Sequence, residues 1–532
     1  MTVWKKQTLY DVLQEQASRQ PQAEALVISG RRLNYLELKL EVDRYAQSLT
    51  TLGVRHGDHI AVLMGNSLEW VIFFYAAASL GAITVPVNTR FKTEELKYCL
   101  EQSDVKLLFM VDEFLKIDFV EMLHQICPDL TTQRALPHLK TVVVLGENVP
   151  PGAINLKSFT SALGSLPTSP PKVNPDDVLL IQFTSGSTAY PKGVMLTHDN
   201  MLRNAAYVSV RFDFKPTDRY YSARPFYHVA GTTLSLLSAL TVGGCLVSSS
   251  HYDALESLKV MSTEKCTLTS GNDTMFLMAL NHPDFSQYPL CLRGGWVSCS
   301  AEVSRKLIKN MGMKGLTQAY GLSEASPNVS MSWHNDDEQI RIDGWGHILD
   351  DLEVKIIDPE TGANRPTGES GEIVVRGWSL MKGYYKMPEQ THKAIDAQGW
   401  LHTGDLGVMD EHNRLRFQQR LKDVFRVGGE NVAPAEVEEL LHQHEAILQA
   451  QVVGVPDPRL GEVAAAYVVL REGYQIETST LIDWCKTRIA NFRVPRYIKI
   501  ITSFEHIGMT GSVKIQKNKV RAQALIDFKI NQ

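Results

Sequence analysis

Short β-branched runs alternate with longer stretches of helical periodicity through most of the first 400 or so residues. The runs DHIAVLM (Asp58 to Met64), KLLFMVD (Lys106 to Asp112) and KTVVVLG (Lys140 to Gly146) read as strands, with a helix after Asn66. This order favours parallel strands joined by crossover helices, the pattern of an α/β fold. The apolar stretch from Trp70 to Val87 approaches the length of a membrane span, but Gly81 and Pro86 interrupt it. It predicts a core helix through Leu80, a turn at Gly81 and a short buried strand, and no integral membrane segment.

The pattern changes twice. Gly164 to Asp177 is rich in Pro and Ser and reads as a linker or surface crossing. Near Arg420 to Asp423 the strand RLRFQQ gives way to charged RLKD and then to Gly428 and Gly429. Beyond lie a helix (PAEVEELLHQH), a hairpin (QAQVVGV, turn PDPRLGE, VAAAYVVL) and a further helix (TSTLIDWCKTRIA), a small α+β unit. A chain of 532 residues is too long for one compact core. The division expected is a large multi-layer α/β domain over 1–420 and a small α+β domain over 421–532.

Composition narrows the function classes. The formal net charge of -5 leaves no basic footprint for nucleic acid phosphates. Seven scattered cysteines, with no CxxC pair, suit neither zinc nor a disulfide framework and fit the reducing cytoplasm. The N-terminus lacks the apolar stretch of a secretory signal.

The most specific chemistry lies in FTSGSTAYPKGV, Phe183 to Val194, delivered by the apolar run VLLIQ. Gly186 allows backbone to approach an anion, Thr184, Ser185, Ser187 and Thr188 supply hydroxyl donors, and Lys192 a positive charge, a set suited to polyphosphate. It is not a Walker A loop, because GxxxxGK[ST] is absent. Further motifs follow in order: PFYHVAG (Pro225 to Gly231), AYGLSEAS (Ala319 to Ser326), ESGEIVVRG (Glu369 to Gly377), GWLHTGD (Gly399 to Asp405), RLKDVFRVGGENVAPAEVE (Arg420 to Glu438) and TGSVKIQK (Thr510 to Lys517). With these, essentially the whole chain resembles the adenylate-forming superfamily of acyl- and aryl-CoA ligases, nonribosomal adenylation domains and firefly luciferase.

The resemblance implies an enzyme that joins a carboxylic acid to AMP, using ATP and Mg²⁺, and passes the acyl group to a thiol. The loop from Thr184 to Lys192 would grip the β- and γ-phosphates. Glu324 would ligate Mg²⁺, Ser323 would lie beside the α-phosphate, and Tyr320 with Gly321 would lie near the adenine. Ser300 and Ala301 fall on the adenine-side loop, which matches the family only loosely. Asp405 would take both ribose hydroxyls, with Arg420 reaching the ribose or phosphate; alone, the TGD triplet reads as a turn. His228 would gate an acyl pocket formed with Val229 and Gly231, where small residues leave room for a chain. Trp296 is either plain core or a wall that shortens that pocket. Lys514 would be the adenylation lysine. Lys422 falls at the hinge of a mobile C-terminal lid, or is an exposed linker lysine. Gly428, Gly429, Glu430 and Asn431 would line a pantetheine tunnel, and the GGEN sequence followed by APAEVE favours coenzyme A as acceptor.

Two departures stand out. Ala189 replaces a glycine, which alanine tolerates while φ stays negative. Val513 replaces the glycine directly before Lys514; if that position needs a positive φ, a β-branched residue costs about 1 to 3 kcal/mol, unless Gly511 absorbs the turn. Val513 keeps alive a second reading, a ligase of the same fold whose adenylate meets an amine or a carrier-protein phosphopantetheine. A third, a nucleotide-binding protein without catalysis, sits badly with the joint presence of Lys192, Glu324, Asp405 and Lys514.

Overall fold

A computed structural model describes residues 4–131, 135–161, 172–184, 191–428, 430–510 and 513–530, with backbone alone at Asn431. The strands expected from the apolar runs are present as His59–Leu63, Leu107–Val111 and Thr141–Leu145. They pair in parallel in a seven-stranded sheet whose other members include Ile83–Pro86, Val178–Thr184 and Lys192–Thr197. His59–Leu63 is buried at every position, as a strand covered on both faces must be.

The long apolar stretch is a core helix, Leu68–Ser79, followed by Gly81 at φ +68° and the strand Ile83–Pro86. Ser67 caps the helix by accepting a hydrogen bond from the Trp70 amide at 3.1 Å. Every residue from Leu68 to Ala78 is buried, so this helix has no polar face. Phe73 stacks on Phe109 of the neighbouring sheet with ring centroids 4.2 Å apart, fixing helix to sheet. Among the described residues no helix is long and apolar enough to cross a membrane.

A second sheet of thirteen strands begins parallel, through Cys245–Ser248, Arg219–Tyr221, Leu268–Asn272, Gly294–Ser298 and Gly315–Gly321. It turns antiparallel from Asn328–Met331 onward and ends in the ribbon of Arg414–Arg420, Leu401–Met409, Gly371–Gly377 and Leu352–Ile357. The carboxyl ends of its parallel strands carry Tyr320 and lead into segments bearing Arg224, His228 and Cys299, the usual position for a ligand crevice in an α/β sheet.

The hairpin Ile447–Asp457 with Gly461–Leu470 forms a third sheet with Phe425–Val427, Glu430–Val432 and Tyr497–Ile501. Helices Pro434–His442, Thr478–Lys486 and Lys517–Asp527 accompany it. Its core, from Phe425 through Val452, Tyr467 and Leu481 to Ala524, takes all its buried members from its own span of chain. Links to the preceding residues are polar: Gln449 donates to Thr274 Oγ1 at 3.3 Å, and Arg471 lies 3.7 Å from Glu302.

Candidate active site

Asp405 sits in the middle of the strand Leu401–Met409, opposite Arg420 in the ladder. A turn role for it is therefore excluded; the turn-like φ of +66° belongs to Gly404 alone. Only 2% of Asp405 is exposed, and Oδ2 accepts a hydrogen bond from the Tyr320 hydroxyl at 2.9 Å. Arg420 Nε lies 3.0 Å from Oδ1 without the alignment of a hydrogen bond, so that oxygen has no satisfying donor among the described residues. Burial pushes the Asp405 carboxyl up from its ordinary value, while Arg420, the Tyr320 hydrogen bond and Lys514 pull it back. A buried carboxylate oxygen that still wants a donor is a natural seat for a ribose hydroxyl.

Lys514 reaches this place from the small C-terminal sheet's span. Its side chain is exposed yet lies within electrostatic reach of Asp405, Arg420, Lys422 and His228. Crowding by protein atoms, then Arg420, pushes its ammonium below the ordinary lysine range. The loop presenting it is tight: Val513 N donates to Thr510 O at 2.9 Å, Thr510 N to Lys514 O at 2.8 Å, and Lys514 N to Thr510 Oγ1 at 2.9 Å. Val513 has φ +58°, so the β-branched residue does occupy the left-handed region that its family position had put in question. Lys422 is exposed in a single turn, Leu421–Asp423, and Gly428 and Glu430 are exposed on the hairpin of Phe425–Val427 with Glu430–Val432. Gly429 and the Asn431 side chain lie outside the described residues.

Lys192 and Thr184 face each other at the open end of the pair Val178–Thr184 and Lys192–Thr197. Ser185, Gly186, Ser187 and Thr188 lie outside the described residues. Lys192 Nζ stands 4.1 Å from the centre of the Tyr384 ring, and the Tyr384 hydroxyl donates to Glu324 Oε1 at 2.8 Å. Tyr384 thus joins the phosphate-loop lysine to the carboxylate of the YGLSE motif, a link that the sequence reading missed; its only local signal is the Gly383-Tyr384-Tyr385 triplet. Oε2 of Glu324 is left uncommitted among the described residues. Ser323 opens the single turn Ser323–Ala325, and Tyr320 and Gly321 end the strand Gly315–Gly321. A Cβ on Gly321 would fall 2.0 Å from the Pro327 carbonyl, so backbone packing demands the glycine. Tyr320 stacks on Phe417, centroids 5.4 Å apart at 14°, which leaves one ring face for another partner. Phe417 is a second residue that sequence reasoning missed. Ser300 caps the helix Ala301–Met311, and its amide donates to Asp273 Oδ1 at 2.9 Å.

His228 is half-buried, and its Nδ1 accepts from the Ala230 amide at 3.1 Å, leaving Nε2 without a partner among the described residues. Burial, then the charges of Arg224 and Lys514, push it down to about 4, so it is neutral at physiological pH. Val229 is buried. Gly231 is held by a close backbone approach: a Cβ there would fall 2.1 Å from the Pro225 carbonyl. Trp296 is buried, its indole N–H donates to the Tyr220 hydroxyl at 2.7 Å, and the Arg224 guanidinium covers its ring at 4.4 Å. That places Trp296 in the core beneath Arg224. Arg224, directly before the PFYHVAG motif, is the third residue the sequence reading passed over.

Residues 13–385 match the family profile described as AMP-binding enzyme, and residues 436–514 match its C-terminal domain. The Bacillus subtilis (strain 168) chain carrying the name acyl-CoA synthetase YngI is 37% identical, over 98% of both chains. Human ACSF2, a mitochondrial medium-chain acyl-CoA ligase, is 33% identical over 97% of this chain and 87% of its own. Among solved structures, the anthranilate CoA ligase AuaEII in complex with anthranoyl-AMP superposes with a TM-score of 0.89 at 25% identity, covering 99% of this chain and 98% of that one.

Proposed function

The chain belongs to the AMP-binding enzyme family, in its acyl- and aryl-CoA ligase branch, and from that premise we propose the reaction and the roles of its residues. The protein condenses a carboxylic acid with ATP to an acyl-adenylate and pyrophosphate, then transfers the acyl group to the thiol of coenzyme A with release of AMP. One observation carries this reading best: Lys514, from the far end of the chain, comes within electrostatic reach of Asp405, Arg420 and His228.

In the first step the acid's carboxylate attacks the α-phosphate, and two anions must be held together. Lys514 masks that repulsion and stabilises the charge that builds up on the five-coordinate phosphorus. Asp405 Oδ1 takes the ribose hydroxyls, Arg420 the ribose or phosphate side, and the free face of Tyr320 the adenine. Ser300 and Ala301 close the adenine side. Thr184 and Lys192 hold the β- and γ-phosphates. Glu324 suits Mg²⁺, since this ion commonly takes one or two carboxylates and completes its shell with phosphates and water. Its Oε2 is uncommitted, and the Tyr384 hydroxyl fixes the other oxygen. Bound there, the ion would supply charge neutralisation on the phosphates.

Neutral His228 adds no cation and can turn its Nε2 edge towards the acyl side. For thiol transfer, the unit over 421–532 swings about Lys422, bringing the segment of Gly428, Gly429, Glu430 and Asn431 inward to line the path of the pantetheine arm. Free cysteines at all seven positions fit a reducing compartment such as the cytoplasm. The test is to mix the protein with ATP, Mg²⁺ and a panel of acids, following pyrophosphate and AMP, then to add coenzyme A or amines and identify the acyl product. ADP and phosphate as products would refute adenylation, and amide formation in preference to thioester would refute the acceptor.

A further inference from the structure

Arg224 is 7% exposed, and neither its Nε nor its Nη2 has a hydrogen-bond partner among the described residues. No carboxylate pairs with it: the groups that interact with its charge include Tyr220, Cys299 and His228, and its flat face rests on Trp296. A buried guanidinium with no counterion costs several kcal/mol by order of magnitude, so such groups normally meet an anion or a ligand. Burial pulls its pKa down to about 10, which leaves it charged at neutral pH.

The two unpartnered nitrogens lie side by side along one edge of the guanidinium. That edge offers two parallel N–H donors matched to both oxygens of a carboxylate. The surroundings are polar too: the hydroxyls of Tyr220, Ser222, Ser235 and Ser270, all buried, bond to one another next to Arg224. A pocket built only for a hydrocarbon tail would gain nothing from this cluster and would have to leave the charge unpaired.

Resting on the ligase reading above, we infer that the acid this protein activates carries a second carboxylate, which Arg224 holds bidentately while the first carboxylate faces Lys514. Arg224 is then a specificity residue for a dicarboxylic acid.

The test compares each dicarboxylic acid with the monocarboxylic acid of equal carbon number, over short and medium lengths, by pyrophosphate release in wild type, Arg224→Met and Arg224→Lys. Wild type should favour one diacid over its monoacid partner roughly 10- to 100-fold in kcat/KM, the range of a charge-assisted pair. Arg224→Met should remove that preference mainly through KM, raising the diacid's KM far more than the monoacid's. Arg224→Lys, a single point charge, should keep part of it. ATP titration of each variant checks folding, and if Arg224→Met does not fold, Arg224→Lys alone must narrow the preference.

Preference for the monoacid at every length would overturn the inference and spare the ligase reading. An equal fall for both acids in a folded Arg224→Met would also overturn it, by showing that the guanidinium serves the reacting carboxylate. No AMP from any acid would overturn the ligase reading and this inference with it.

Discussion

Val513→Gly is the substitution whose effect follows most directly from the structure. Val513 holds φ +58° in the loop that presents Lys514, and three short hydrogen bonds through Thr510 keep it there. A valine in this region carries about 1 to 3 kcal/mol of strain, because its branched Cβ crowds the backbone carbonyl. If the lid takes the two folded positions proposed above and the strain belongs to the loop only when Lys514 reaches Asp405, its removal shifts their balance by up to that amount. The adenylation half-reaction should then rise about 5-fold at the lower bound and about 150-fold at the upper. Glycine gives back part of the gain, since it loosens the loop by about 0.5 to 1 kcal/mol, which places the expected rise nearer the lower end. Pyrophosphate release without coenzyme A reads this step, and thioester formation from synthetic acyl-adenylate reads the other. Val513→Ala should fall between wild type and glycine. If both variants left adenylation and the melting temperature unchanged, no strain would be stored at this position and the reasoning would be wrong.

Four further outcomes are expected. Lys514→Ala should lower adenylate formation about 10² to 10³-fold while sparing thioester formation from the adenylate, and a parallel loss of both steps in a folded variant would contradict the two lid positions. Asp405→Ala should raise the KM for ATP roughly tenfold or more with little change for the acid, and an unchanged KM would remove Asp405 from the nucleotide. Tyr384→Phe frees the Glu324 carboxylate, so the Mg²⁺ concentration for half-maximal rate should rise about 2- to 10-fold, whereas an unmoved Mg²⁺ curve would make the contact incidental. His198 and His228 are both held at about 4 by burial, below the unfolded value near 6.5. The unfolded chain therefore takes up protons first, and stability should fall as pH drops from about 6.5 towards 4. Urea midpoints across that window check this, and His198→Gln should flatten the slope.

Much of the framework was legible because single runs of residues carry it. The stretch from Trp70 to Val87 contains its own breaks, so helix, turn and strand follow from local chemistry alone. The motif residues were legible for another reason, their order along the chain. What escaped depends on contacts between distant segments. Tyr384 meets Glu324 across sixty positions because a backbone bridge to Val194 brings its segment to the phosphate loop. Asp405 looked like a turn residue because Gly404 precedes it, yet the ladder to Arg420 continues the strand through both. That Gly231 meets the Pro225 backbone closely also shows only in the folded chain. Arg224 was visible as an arginine among small and apolar neighbours, but only burial shows that it lacks a counterion.

The core that runs from Phe425 to Ala524 shares no buried member with the rest of the protein, and polar contacts such as Gln449 with Thr274 join the two sides. Such an arrangement makes the protein modular in inheritance. Arg224 and its neighbours, which would choose the acid, belong to one packed body, and the Gly428 to Asn431 hairpin, which would choose the acceptor, to another. A mutation that repacks either leaves the other's interior untouched, so the two choices can drift at separate rates. The turn Leu421–Asp423, where the proposed hinge falls, has no buried residue, which marks it as a place where a lineage, or an engineer, could exchange one body for a homologue's without opening either core.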